Sequence, residues 1–143
     1  VTFLGSLNRR ELSRRVAEAH VAILPSSYEG FTIAGLEYMF FCLPMVLTKV
    51  GAAEDVIHAN DIGLIIPSPI EISELNSDVI KRLGLEVKPP ASTEKLTAAL
   101  KQIIEFYPEW SVKGEAGIEK IEGFTIEHTV QQYERLINRT IAK

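Results

Sequence analysis

Cysteine is nearly absent from this 143-residue chain. Cys42 is the single one, so no internal disulfide can form and no cysteine pair is available to a metal. That usage fits a reducing, cytosolic setting. Histidine is also sparse: His20, His58 and His128 stand far apart, without HxxxH or HExxH spacing, so no metal is expected. There is no excess of positive charge either. The 15 Lys and Arg are outnumbered by 19 Asp and Glu, giving a net charge of −4. A general nucleic-acid binder shows the opposite balance, so nucleic acid is not an expected partner. The densest basic spot, Arg9, Arg10, Arg14 and Arg15, reads as the solvated face of a helix. No apolar run reaches the ~18 residues of a membrane span, because Glu37 and Lys49 interrupt the longest candidate. The expected location is therefore cytoplasmic, the cytosolic face of a membrane included. The opening Val-Thr-Phe-Leu-Gly has no basic lead and is not a signal peptide. It reads as a buried strand that begins abruptly, as in a chain cut from something longer.

What is present is a run of short apolar segments alternating with helical patterns. Residues 1–4 are β-leaning and stop at Gly5. Asn8 and Glu11 have capping-box spacing, and Leu12, Val16 and Ala19 follow at helical intervals. Residues 20–24 form an apolar run halted by Pro25. Residues 33–43 predict a helix that is apolar almost all round and therefore deeply packed, ended by Pro44. Residues 45–47 and 63–66 predict two more buried strands, with a helix over 52–59 between them. Strands of this length alternating with helices of about ten residues signal βαβ units: a parallel α/β sheet with helices on both faces. Ligands bind such sheets beyond the carboxyl ends of the strands.

Residues 1–67 thus form a βαβ core. Residues 68–91 are irregular and Pro-flanked, with one short helix expected over 77–83 and Gly84 as its stop. Residues 92–143 predict three helices. The first is capped by Ser92 and striped by Leu96, Ala99, Leu100, Ile103 and Ile104. The second, over 109–121, contains Trp110 and the helix-weakening Gly114 and Gly117. The third follows Thr125, with Ile126, Val130, Tyr133 and Ile137 on one face.

The chemistry concentrates in Glu29-Gly-Phe-Thr-Ile-Ala-Gly-Leu-Glu37. Thr32 is a candidate N-cap, so Ile33, Ala34 and Gly35 are expected to present free backbone N–H groups to an anion such as a diphosphate. Gly30 allows close approach of backbone to ligand. Glu29 lies just before the helix and Glu37 one turn inside it. A carboxylate accepts hydrogen bonds from two vicinal hydroxyls at once, so the order along the segment reads as sugar, diphosphate, ribose. The same spacing equally fits a loop charge at Glu29 and a local cap or pair at Glu37.

This stretch resembles the Glu, seven residues, Glu motif of the GT-B-fold glycosyltransferases, especially the group 1 enzymes of family 4. The resemblance continues in order on both sides. It takes in Phe3-Leu-Gly5, Glu11-Leu12, residues 17–26, Leu36-Glu37-Tyr-Met39, Leu43-Pro44-Met-Val46, Val50-Gly51, Glu54-Asp-Val-Ile57 and residues 63–67. The closing pattern of the family is similar to residues 124–136. The resemblance implies a Rossmann-like, nucleotide-sugar-binding C-terminal domain of a GT-B enzyme, incomplete on its N-terminal side, where the first two strands and the diphosphate-gripping Arg and Lys of relatives lie. The missing N-terminal domain, which supplies the catalytic histidine in relatives, would be a partner within the same protein. No catalytic residue is assigned within these 143 residues.

Carried over by position, Glu29, Gly30, Phe31 and Gly51 would meet the donor sugar. Thr32, Ile33 and Ala34 would meet the diphosphate, Glu37 the ribose, and Gly5 and Leu7 the nucleobase. The implied reaction moves a sugar from a nucleotide-diphosphate sugar to an acceptor hydroxyl on a glycan, lipid or small molecule, with retention and with no required cofactor. Ala52 stands where a second glycine is usual, and Tyr38, Phe40, Phe41 and Cys42 replace small residues. These departures leave open a non-catalytic nucleotide-sugar-binding or scaffolding relative, or another GT-B activity such as an epimerase or phosphorylase. An open sheet edge would also permit self-association.

Overall fold

Asn8 opens the first helix with a reciprocal cap. Its side chain accepts the Glu11 N–H at 3.0 Å, and the Glu11 carboxylate accepts the Asn8 N–H at 3.3 Å. This is the capping box that the spacing predicts. The computed structural model describes residues 1–58, 61–68, 78 and 93–141. In it, helix α1 (Arg9–Ala17) leads to strand β1 (Ala22–Leu24), helix α2 (Ile33–Phe40), strand β2 (Met45–Thr48), helix α3 (Ala53–His58) and strand β3 (Gly63–Ile66). Helices α4 (Thr93–Glu105) and α5 (Tyr107–Lys120), a 3-10 turn (Ile121–Phe124) and helix α6 (Ile126–Ile141) complete the described chain. The short helix expected over 77–83, its stop at Gly84 and the Ser92 cap lie outside the described residues.

The three strands form a parallel sheet in the order β1-β2-β3, with Ala22 beside Met45 and Met45 beside Gly63. All four residues of β2 are buried, as a central strand covered on both faces requires. Its side chains alternate between two cores. Met45 and Leu47 join Met39, Val56 and Ile62 from the α2 and α3 side. Val46 joins Ile66, Ile103 and Trp110 from the α4 and α5 side. The carboxyl ends of all three strands therefore share one rim, where the loops beginning at Pro25 and Lys49 meet.

Three expectations need correction. Residues 1–4 are not a strand: they lie outside the sheet, with Val1 and Phe3 almost fully exposed. An apolar run becomes a strand only when a neighbour supplies the ladder, and β1 and β3 are the edges of the described sheet. Within α4, Ile104 is exposed although its stripe neighbours Ala99 and Ile103 are buried. Helix α2 ends at Phe40 rather than residue 43, and it is packed on one side only: Gly35 and Met39 are buried, Ile33 and Phe40 exposed.

The stop comes from Cys42, which adopts φ 57°. Its N–H donates to the Met39 carbonyl at 2.9 Å, and the Leu43 N–H donates to the Tyr38 carbonyl at 3.0 Å. This is a Schellman closure with a side chain at the left-handed position. A non-glycine residue there is strained by about 1–2 kcal/mol, partly offset by the greater freedom that glycine has in the unfolded chain. Cys42→Gly is therefore expected to stabilise the fold by roughly 0.5–1 kcal/mol, read as a rise in thermal midpoint. An unchanged or lower midpoint would show that the cysteine side chain matters more than the strain.

The glycines of α5 are buried, where the helix approaches other backbone. A Cβ on Gly114 would overlap the carbonyl oxygen of Cys42, and one on Gly117 would meet Ile62. Helix α6 does carry Ile126, Val130, Tyr133 and Ile137, but all four are exposed and no residue of the helix is buried. Among the described residues no helix is long and apolar enough to cross a membrane.

Candidate functional site

The rim site begins with a buried hydroxyl. Thr48, at the end of β2, donates from Oγ1 to the Ser26 carbonyl at 2.5 Å and lies 3.4 Å from the Leu24 carbonyl. This ties the start of the Pro25 loop to the neighbouring strand. Ser26 in turn donates its own hydroxyl to Glu29 Oε1 at 2.9 Å. One carboxylate oxygen of the half-buried Glu29 is thereby held in place, which sets the direction of the other. Neither Thr48 nor Ser26 was a candidate from the sequence. The Ser26-x-x-Glu29 spacing was the available signal for the second.

The loop after β2 packs against this one, backbone on backbone. The Ala52 N–H donates to the Gly30 carbonyl at 3.2 Å. Gly51 has φ 51°, and a Cβ there would overlap the carbonyl oxygens of Glu29 and Gly30. The fold thus brings Gly51, Glu29 and Gly30 into one place. Ala52, half-buried, uses its N–H to make that junction.

Thr32 is the N-cap of α2, and its Oγ1 accepts the Gly35 N–H at 3.1 Å. The expectation of three free amides is corrected by this geometry. The cap consumes the Gly35 N–H, and the Ile33 N–H donates to the Phe31 carbonyl at 3.0 Å. The Ala34 N–H is left without an acceptor among the described residues. A capping side chain competes with a bound anion for the same donors, which is why both roles cannot be read from one spacing. Phe31 is exposed, its ring tilted against Phe124 at 6.2 Å between centroids.

One turn further on, the exposed Glu37 faces a cleft of about 330 Å³ between α1 and α2. Arg9 lines the same cleft, with Leu12, Leu36 and Phe40 among its apolar walls. Arg9 forms no ion pair among the described residues, so the cleft offers a cation and a carboxylate that do not neutralise each other. From sequence alone Arg9 is only part of a solvated face. Gly5 and Leu7 lie just ahead of α1 and do not line the cleft. Beside Glu37, burial, and then the Glu37 charge, push the Tyr38 phenol above its usual range. Tyr38 therefore remains a neutral hydrogen-bonding group beyond the pH at which a free tyrosine ionises.

The other polar groups lie apart from this constellation. Lys49 is paired with Glu54 at 3.0 Å on the exposed side of the second loop. His20 packs edgewise on Tyr107 at 5.7 Å, and the His128 N–H donates to Thr125 Oγ1 at 3.3 Å. Among the described residues no three His, Cys, Asp or Glu side chains gather as a metal set.

Comparison with known proteins identifies the family and the fold. Residues 1–102 match the family model of glycosyl transferases group 1. A similar protein is the MMP α-(1→4)-mannosyltransferase of Mycolicibacterium hassiacum, 33% identical over 79 residues, which cover 55% of this chain and 19% of that protein. Another is an uncharacterized glycosyltransferase of Methanocaldococcus jannaschii, 39% identical over 57 residues, covering 40% of this chain and 15% of that one. The chain thus spans under a fifth of the length of these curated relatives. Among solved structures, the sucrose-phosphate synthase of Thermosynechococcus elongatus superposes with a TM-score of 0.68 at 24% identity, over 99% of this chain and 30% of that one. That likeness places the parallel sheet and C-terminal helices in the GT-B fold. With its family model covering most of the described core, the chain belongs to the group 1 glycosyl transferases.

Proposed function

We propose that these residues form the donor-binding part of a retaining glycosyltransferase, which moves a hexose from a nucleotide-diphosphate sugar to an acceptor hydroxyl on a glycan, lipid or small molecule. The observation that carries the reading is the placement of two carboxylates on either side of one helix N-terminus. Glu29 is oriented by Ser26 at the rim, and Glu37 faces the cleft. In this reading Glu29, with the Gly30, Phe31 and Gly51 backbones, receives the sugar. The Ala34 amide and the start of α2, with Thr32 and Ile33, receive the diphosphate. Glu37 accepts the ribose hydroxyls, and the base lies toward Gly5 and Leu7. No cofactor or metal enters this scheme. Charge developing on the leaving diphosphate is stabilised by helix-terminal dipoles and by cations elsewhere in the enzyme.

The test is turnover by the full-length protein with a panel of nucleotide sugars, a mannosyl donor among them in view of the mannosyltransferase relative. Each carboxylate makes charge-assisted hydrogen bonds worth roughly 1.5–3 kcal/mol, so Glu29→Ala and Glu37→Ala should each lower donor kcat/KM by roughly 10- to 100-fold. Unaltered donor binding in both variants would sink the site assignment. Donor binding without hydrolysis or transfer would instead favour a non-catalytic relative.

A further inference from the structure

We propose that Phe124 is a positioning residue for the donor loop: its ring holds Phe31, and through Phe31 it sets the Glu29–Thr32 backbone. The inference rests on the donor-site reading above and extends it to a part of the chain beyond residues 1–102, the family-matched region.

The loop is tied down at three places. Its start is held by the Thr48 and Ser26 hydroxyls, its middle by the bond from the Ala52 N–H to the Gly30 carbonyl, and its end by the Thr32 cap. All of these ties are hydrogen bonds, and none involves the Phe31 side chain. Phe31 is 46% exposed, and its ring would be free to swing except that it meets Phe124 at 6.2 Å with the planes inclined by 53°. An aromatic pair at this separation is attractive and directional. The peptide geometry at Phe31 matters for the chemistry because the Phe31 carbonyl accepts the Ile33 N–H. A swing of residue 31 would alter which amides at the start of α2 stay free for the diphosphate.

Phe124 is a firm anchor. It ends the 3-10 turn Ile121–Phe124 and packs against the buried cluster that contains Met39 and Val56. The following residue braces it: the Thr125 N–H donates to the Glu122 carbonyl at 3.2 Å, and Thr125 Oγ1 donates to the same carbonyl at 2.9 Å. Thr125 Oγ1 also accepts the His128 N–H and so caps α6. The turn is thus fixed to the core on one side and to α6 on the other. Phe124 need not touch the donor; it acts through Phe31.

The experiment uses the full-length enzyme with Phe124→Ala, Phe124→Leu and Phe124→Tyr. Two readings are taken: amide hydrogen exchange at residues 30–36 without donor, and the donor KM and kcat. For Phe124→Ala we expect faster exchange at these amides, a donor KM raised roughly 3- to 10-fold, and kcat within about two-fold of wild type. Tyrosine should restore both readings. Leucine, which keeps the buried volume, should restore the thermal midpoint but leave KM raised, and it carries the test if the alanine variant does not fold. Unchanged exchange in the alanine and leucine variants overturns the positioning role, as does a leucine variant with wild-type KM, which would make Phe124 mere core filling. Faster exchange with an unchanged donor KM would leave the ring contact standing and sink the donor-site reading beneath it.

Discussion

Valine at position 114 is expected to lower the unfolding free energy by about 3–5 kcal/mol, a large part of the roughly 5–15 kcal/mol available to a domain. Gly114 lies buried on α5, where a Cβ would overlap the Cys42 carbonyl oxygen and press on Pro44. That oxygen belongs to the backbone of the α2–β2 turn, so it cannot rotate aside as a side chain would. Either α5 lifts away, drawing the buried Trp110 out of its cluster, or the Schellman turn opens. Gly117→Ala is the control. Its Cβ would lie 3.4 Å from the Ile62 side chain, an ordinary van der Waals contact, and alanine gains about 0.8–1 kcal/mol in helix propensity. The two glycines look alike in sequence, yet the first substitution should shift the urea midpoint sharply downward and the second leave it level or raise it. Equal midpoints for Gly114→Val and wild type would show that α5 does not approach the turn this closely.

Gly51→Val should leave the protein folded but lower donor kcat/KM in the full-length enzyme by about 100-fold or more. Left-handed backbone at a β-branched residue costs about 1–2 kcal/mol. The greater effect is steric, because the new Cβ would displace the Glu29 and Gly30 carbonyls and break the bond from Ala52 to Gly30. The displaced segment is the one that orients Glu29, and a shift of about 1 Å in a positioned group is enough for a loss of about 100-fold. Gly51→Ala should lie between the two, since it carries the same Cβ with less bulk. The decisive measurement pairs donor kinetics with a thermal melt. If turnover falls only in proportion to lost stability, Gly51 supports the fold and not the donor loop.

The features legible in the sequence were those that need only a few neighbouring residues. The Asn8 and Glu11 cap and the Thr32 cap appear where expected, and the strands and helices alternate in the expected order from residue 9 on. The Glu29 and Glu37 pair stands out in the sequence through its spacing and the ordered family resemblance, and its part in donor binding is the proposal made above. The errors have a common cause. Residues 1–4 have strand composition but no neighbour within the described sheet. Residues 41–43 have helical composition but follow a left-handed turn at Cys42. The free amides expected at Ile33 and Gly35 are engaged by the Phe31 carbonyl and by Thr32 itself. Arg9 reads as one of four arginines on a solvated helix, and only its place opposite Glu37 distinguishes it.

By itself, then, the sequence determined the class of fold and the family and marked the segment proposed to bind the donor, since caps, periodicity and motif spacing act over one or two turns of chain. Tertiary structure decided which groups share the site. Thr48 reaches Ser26 across two strands, Gly51 lies against Glu29 and Gly30, Gly114 sits on Cys42, and Phe124 meets Phe31. Each of these contacts joins residues far apart along the chain. They depend on how the sheet, loops and helices pack, and no local preference of either partner encodes them.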